Sequence, residues 1–406
     1  MFIHPHAVNG ILFVLFFVSM PIMLTHFQQV KESVSLVPNY IKLLLLIFYV
    51  SPVLSVFLGQ AVRYNFSWPN YDSPSRILLC LPIFIVVYHF KINAVKSFNI
   101  SIPVTLILAS LLVMFGFYTK ITNGRVSLCC IDLLTFGSLS LTFGVLCFST
   151  SGVFSKFISR PTLVSCIALF SGLYLSIGSG SRTGWGALPV VIILWSLAAF
   201  RHKYRALLLS GLFTFAVSVI AYVEVPMVNS RINQALQDIK SYNWNGPNTE
   251  TSLGERISFA RIGFSLLAKR PLSGWGDHSF ASTIKESREY DFASQATRDW
   301  VIHCGFHSEI MTNAVRSGIW GVFSSLMLFM VPSVIFMRAF LSQNGVIRKY
   351  GVYGLTYVLC IFITSLSTEV FNLKYTASFH ALMLSALMGT TLACTVNRSK
   401  TCAFSS

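Results

Sequence analysis

Ser252-Leu-Gly-Glu-Arg256, Pro271-Leu-Ser-Gly-Trp-Gly276 and His303-Cys-Gly-Phe-His307-Ser308-Glu309 fall within one polar interval, from about Pro226 to about Ser317. That interval decides how the rest of the chain is read, because it is the only long break in an oily sequence. Apolar runs precede it near Val8–His26, Tyr40–Gln60, Arg76–Phe90, Ile100–Tyr118, Cys130–Phe148, Pro161–Ile177, Trp185–Phe200 and Ala206–Val225. Three more follow it, near Ile319–Leu341, Gly351–Leu366 and Ala377–Val396. Most have the length of about 20 residues that a helix needs to cross roughly 30 Å of hydrocarbon. The alternating short segments of a membrane barrel are absent. The expected fold is an all-α polytopic membrane protein of about 11–12 transmembrane helices with one large, partly helical loop. Its parts are the N-terminal helices (1–226), the loop (227–317) and the C-terminal helices (318–406).

Composition agrees with this reading. Of the 406 residues, 54% are hydrophobic and 11% charged, whereas soluble domains carry roughly 25% charged residues. The net charge of +16 does not point to nucleic acid, because much of the excess sits in short loops where the positive-inside rule expects it. Lys91/Lys96, Lys156/Arg160, Arg201/Lys203/Arg205, Arg338/Arg348/Lys349 and Arg398/Lys400 occupy alternate connections and so mark one face, the cytoplasmic one. The large loop then lies on the opposite side, which in a bacterium is the periplasm, with the N-terminus on that side too. The N-terminus lacks the basic region and cleavage site of a secretory signal, so the first run reads as a retained anchor. The nine cysteines are odd in number and mostly inside apolar runs, which reads as small buried hydrophobes and not as a disulfide framework.

Within the loop, Ser252-x-x-Glu255 has the form of a capping box, followed by helix-like spacing through Leu267 and a stop at Pro271 and Gly274. Arg256 would then lie in the first turn, where exposed N–H groups favour an anion. A second helix is expected from near Ser308 toward Gly318, continuing into the next span.

Several arginines stand against the charge bias. Arg63, Arg76, Arg125 and Arg182 lie at the loop-side ends of spans. An arginine at such a position is paired, snorkelled among head groups or functional. For Arg182, the setting Gly178-Ser-Gly-Ser-Arg-Thr-Gly-Trp185 favours a ligand, since glycines let backbone approach it and a guanidinium fork suits phosphate. His303 and His307 have the i, i+4 spacing of metal ligands, but Gly305 interrupts the helix and no third ligand is evident, so no metal is expected. A structural histidine and a general base remain as readings of His307, and neighbouring arginines would hold its imidazole neutral. Glu309 is a candidate to orient it or to contact an acceptor.

Taken in order, Asp72-Ser-Pro-Ser-Arg76, Ser181-Arg182-Thr-Gly-Trp185, Thr251-Ser-Leu-Gly-Glu-Arg256, Pro271-Leu-Ser-Gly-Trp-Gly276, His307-Ser-Glu309 and Gly318-Ile-Trp-Gly321 resemble the bacterial O-antigen ligase family (WaaL type). The resemblance implies a GT-C-like glycosyltransferase of the inner membrane with its active site on the periplasmic face. The donor would be O-antigen on undecaprenyl pyrophosphate and the acceptor a sugar hydroxyl of lipid A–core oligosaccharide. Transfer would be inverting and independent of metal or other cofactor. His307 would take the acceptor proton, Arg182 and Arg256 would hold the pyrophosphate, and Arg76 and Arg125 would assist. O-antigen polymerases and protein O-oligosaccharyltransferases share the signature and stay open as alternatives. An anionic-lipid transporter is the rival of another class, against which stands the absence of a repeat between the halves.

Overall fold

The computed structural model describes residues 6–396 apart from 123, 130, 150–159, 200–202, 245, 247, 249–250 and 278. Each of the eleven apolar runs becomes a helix. Before the polar interval come α1 (Ala7–Thr25), α2 (Phe27–Ser35), α3 (Asn39–Arg63), α4 (Asp72–His89) and α5 (Ala94–Met114). A short hairpin of β1 (Thr119–Thr122) and β2 (Arg125–Leu128) leads to α6 (Leu133–Ser149), α7 (Arg160–Ser179), α8 (Ala187–Ala199) and α9 (Lys203–Glu224). Among the described residues nine helices are long and apolar enough to cross a membrane, and the 133–149 and 163–179 segments are shorter apolar helices. The protein is an all-α, multi-pass membrane protein.

The polar interval folds as α10 (Pro226–Ser241), α11 (Ser252–Lys269), α12 (Ala281–Glu286), α13 (Gln295–Cys304) and α14 (Glu309–Ser317). It has a small core of its own, with Phe259, Ile262, Trp275, Tyr290, Val301 and Phe306 buried together. Three helices complete the chain: α15 (Ile319–Phe340), α16 (Gly345–Ser365) and α17 (Lys374–Val396).

Two elements escape the hydropathy reading. α2 is a nine-residue amphipathic helix, and each hairpin strand has only four residues. Both are too short to register in a search for spanning runs. The hairpin is antiparallel, Thr122 opposite Arg125, around the Asn-Gly pair that favours tight two-residue turns.

The expectation that α14 continues into α15 is corrected. Gly318 breaks the two with φ +63°, and a β-carbon there would lie 2.2 Å from the Pro271 carbonyl oxygen. Pro271 accepts the Ile319 N–H at 2.8 Å, and Trp275 and Gly276 donate backbone N–H groups to Val315 and Arg316. The Pro-Leu-Ser-Gly-Trp-Gly stretch is therefore a clasp that fastens the end of α11 to the α14–α15 corner.

Apolar burial alone does not favour helix–helix contact within lipid, so close packing and buried hydrogen bonds carry the bundle. Tyr49 bonds Ser385 at 2.8 Å between the sequence-distant α3 and α17, and Tyr357 bonds His380 at 2.6 Å between the consecutive α16 and α17. One end of the bundle collects the loop. There Arg63 donates to the Ser273 carbonyl, Lys374 pairs with Asp72 at 2.6 Å, and Tyr375 donates to Asp132 at 2.8 Å. α1 begins at this same end, where Asn9 accepts from Arg76 and Ser378. Asn93 bonds Tyr350 and Arg348 bonds the Leu197 carbonyl at the other end. Lys91, Lys96 and Lys349 lie in the segments gathered there. Lys156, Arg201, Arg398 and Lys400 lie outside the described residues.

Candidate functional site

Four arginines from four separate elements meet above the loop-side end of α7. Arg125 opens β2, and its Nε donates to the Ser179 carbonyl at 2.7 Å. Arg182 stands in the 3-10 turn between α7 and α8 and donates to the Arg231 carbonyl of α10 at 2.8 Å. Its other terminal nitrogen reaches toward Ser252 Oγ of α11, at 3.4 Å. Gly180, with φ +61°, makes the crowding feasible, since a β-carbon there would lie 3.0 Å from Arg125 Nε and 3.3 Å from Arg231 Nη2.

Arg256 joins them from the second turn of α11. The helix is capped by Thr251, whose side chain accepts the Gly254 N–H at 3.2 Å, and not by Ser252 as the capping-box reading had it. The shift of one residue moves Arg256 out of the first turn and releases Ser252 Oγ to face Arg182. Burial, and after it the charge of Arg182, pushes the Arg256 guanidinium down from its ordinary value against the pull of Glu255. Burial also lowers that of Arg125, with Arg231 and Arg182 adding to the shift. Among the described residues none of these four guanidiniums is in an ion pair with a carboxylate. Such a cluster lowers its own repulsion when an anion enters it.

His307 completes the group. It sits between α13 and α14 with φ +49°, after Gly305 at φ +84°. A histidine in the left-handed region is uncommon, and strain of this kind costs of order 1–3 kcal/mol. Its ring lies between Phe259 and Trp300, with centroids 5.7 Å from each. The Trp300 indole N–H donates to Nε2 at 2.9 Å. Nε2 therefore carries the lone pair and Nδ1 the proton, and Nδ1 is buried with no hydrogen-bond partner among the described residues. Burial first, then the nearby charge of Arg256, lowers the His307 pKa below its usual 6.5, with Asp132 pulling the other way. The imidazole is neutral at pH 7.

The other candidates have different surroundings. Arg76 is buried and donates to Asp72 at 2.7 Å, Asn9 at 2.8 Å and Ser378 at 3.1 Å, which ties α4 to α1 and α17. Glu309, expected beside His307, is also buried, and its oxygens accept from the Val370 and Phe371 N–H groups and from the Asn313 and Asn372 amides. That carboxyl fastens α14 to the loop before α17. His303 lies on the last turn of α13, exposed, at the edge of a separate hollow of about 460 Å³ that Glu369 and Arg316 also line. Gly305 separates it from His307. Among the described residues no group of three or more His, Cys, Asp or Glu side chains is placed to hold a metal ion. Among the described residues no cysteine is in a disulfide.

Sequence reasoning missed Arg231, Asp132 and Phe259 as neighbours of the site, whereas Trp300 stands among the loop aromatics (Trp244, Trp275, Tyr290, Trp300) that could stack on sugar rings. Arg231 carries a signal of a kind, as a basic residue on an amphipathic helix in the loop. Asp132 and Phe259 carry none, because only the packing of α6 and α11 brings them near His307.

Comparison with known proteins adds a second line. The family profile described as O-antigen ligase matches residues 167–326, which contain Arg182, Arg231, Arg256 and His307 and leave out Arg125. An uncharacterised protein of Haemophilus influenzae is 23% identical over 353 residues, covering 83% of this chain and 82% of that one. An O-antigen ligase of Escherichia coli is 26% identical over 160 residues, covering 39% of this chain and 37% of its own.

Proposed function

We propose, from the premise that this chain belongs to the O-antigen ligase family of glycosyl-transferring membrane enzymes, that it moves O-antigen glycan from undecaprenyl pyrophosphate to a sugar hydroxyl of lipid A–core oligosaccharide. The observation that carries this reading is the convergence of Arg125, Arg182, Arg231 and Arg256, in no ion pair with a carboxylate among the described residues, beside a neutral imidazole. A lipid diphosphate is the anion such a cluster fits. Fixed guanidinium groups in a water-poor site stabilise the charge that grows as the glycosyl–phosphate bond breaks.

In the proposed step the acceptor oxygen attacks the anomeric carbon on the face opposite the leaving group. The new C–O bond forms as the bond to phosphate oxygen breaks, and the pyrophosphate leaves with the electron pair. The hydroxyl proton passes to Nε2 of His307, where the acceptor replaces the Trp300 indole N–H. Nδ1 keeps its proton, and Asp132 favours the imidazolium that results. The basic residues at the far end of the bundle support a cytoplasmic assignment for that end, which leaves the site in the periplasm of the inner membrane.

Lipopolysaccharide banding in a ligase-null strain carrying each variant tests the reading. Arg182→Ala, Arg256→Ala and His307→Ala are each expected to leave bare core while the protein is still found in the membrane. A full ladder from the Arg256 and His307 variants would remove the mechanism. In the native host, with this chain deleted, a core bearing a single repeat in place of bare core would move the chain to polymerisation of O-units instead.

A further inference from the structure

A second basic hollow lies apart from the arginine cluster, where α3 and α15 meet the loop. Its volume is about 500 Å³, and Val62, Arg63, Asn65, Lys269, Arg270 and Leu272 are among its walls. Arg63 is the last residue of one span and Ile319 the first of another. Ile319 is hydrogen-bonded to the Pro271 carbonyl in the hollow's wall. The hollow therefore lies at the level where two helices leave the bilayer. Of its walls, Val62 is 51% exposed and Leu272 58%, an apolar rim beside the charged groups at that level.

The charges inside are not balanced. Arg63 gives Nη1 to the Ser273 and Arg316 carbonyls, which fixes the guanidinium in place. Arg270 lies over Trp275, its Cζ 3.9 Å from the ring centroid, and forms no ion pair among the described residues. Lys269 pairs with Glu289 at an exposed position. The acid of the adjoining hollow of about 220 Å³, Asp277, pairs with Arg316 and acts on Arg63 only through its charge. Two guanidiniums held in place thus line a groove at the level where α3 ends and α15 begins.

We infer that this groove binds the phosphate of a membrane lipid head group, with Arg63 and Arg270 as its two donors and the apolar rim against the acyl chains. Paired guanidiniums match phosphate oxygens, and cations at the bilayer surface gain from anionic head groups. The site is separate from the arginine cluster and does not depend on the proposed transfer reaction.

The test uses the full chain in phosphatidylcholine nanodiscs doped with a phosphorylated glycolipid or with the same glycolipid after phosphatase treatment, and reads retained lipid by native mass spectrometry. The phosphorylated form is expected to be retained roughly tenfold better, and Arg270→Glu, at an exposed position, to abolish that preference while the protein still melts in a single cooperative transition. Raising salt should weaken retention. If phosphatidylglycerol displaces the glycolipid, the site takes phosphate lipids in general; if it does not, the site prefers the phosphorylated glycolipid. Both results support a lipid-phosphate site. Equal retention of the two glycolipid forms, an unchanged preference in Arg270→Glu, or displacement by soluble inorganic phosphate would overturn it. A loss of preference in Arg256→Ala would also overturn it, by placing the lipid in the arginine cluster.

Discussion

Arg76 and Arg256 are both arginines expected at the loop-side face, and the structure treats them in opposite ways. Arg76 is surrounded by acceptors: Asp72, Asn9 and Ser378 share its guanidinium, and Lys374 shares Asp72. Arg256 is surrounded by its own kind, with Arg182 and Arg125 the basic charges it feels and Glu255 the acidic one. A charge buried with its partners holds helices together. Charges buried near one another are stable only as far as the fold forces them, and they are relieved by a ligand. The difference separates a structural arginine from one available for an anion better than exposure does.

Charge removal should reverse its signature between the two regions. Arg256→Gln is expected to lower transfer at least about 100-fold while the melting temperature in detergent holds or rises, because Arg182 and Arg125 lose a like-charged neighbour. A fall in melting temperature with transfer intact would erase the contrast.

The acceptor-rich side has its own misplaced charge. Burial raises Glu369 from 4.5 to about 7, against the hydrogen bond from Thr312 and with Glu309 adding to the rise. The folded state therefore binds this proton more tightly than the unfolded chain does. The stability it contributes is complete below about pH 4.5 and is lost as pH climbs to about 7. Glu369→Gln should be more stable than the wild type at pH 8 by about 2–3 kcal/mol and no more stable at pH 4, read from melting curves across pH.

Arg76→Gln is the mirror of the Arg256 change. It is expected to cost about 2 kcal/mol of stability and to leave turnover per folded molecule within a few-fold of wild type, measured in the same two assays. The smallest effect concerns the start of α11. Thr251→Ala should cost about 1 kcal/mol, whereas Ser252→Ala should cost less, since its hydroxyl meets only a long contact from Arg182. Equal losses would restore Ser252 as the cap.

The bundle was legible because lipid imposes a simple rule. A backbone with no water to bond must form its own hydrogen bonds, so a run of about 20 apolar residues has one answer. That rule reaches all eleven helices, including Leu133–Ser149, and fails for α2 and the hairpin, which lie outside its length. Local chemistry also marked the loop: Pro271 and Gly274 as a stop, Ser308 as a start, Gly305 as an interruption. It misplaced the cap by a residue, because Thr251 and Ser252 are equally able to accept the bond and only backbone geometry chooses between them.

Residue type and order by themselves determined that this is a helical membrane protein with its polar chemistry in one interval, and they marked Arg182, Arg256 and His307 for attention. Only the tertiary structure decided that these three stand together with Arg125 and Arg231, that Arg76 and Glu309 are held by other partners, and which nitrogen of His307 bears the proton. The reason is that charge, burial and hydrogen-bond partners belong to neighbours in space. Residues 125, 182, 231, 256 and 307 become neighbours only through the packing of β2, α7, α10, α11 and the turn before α14.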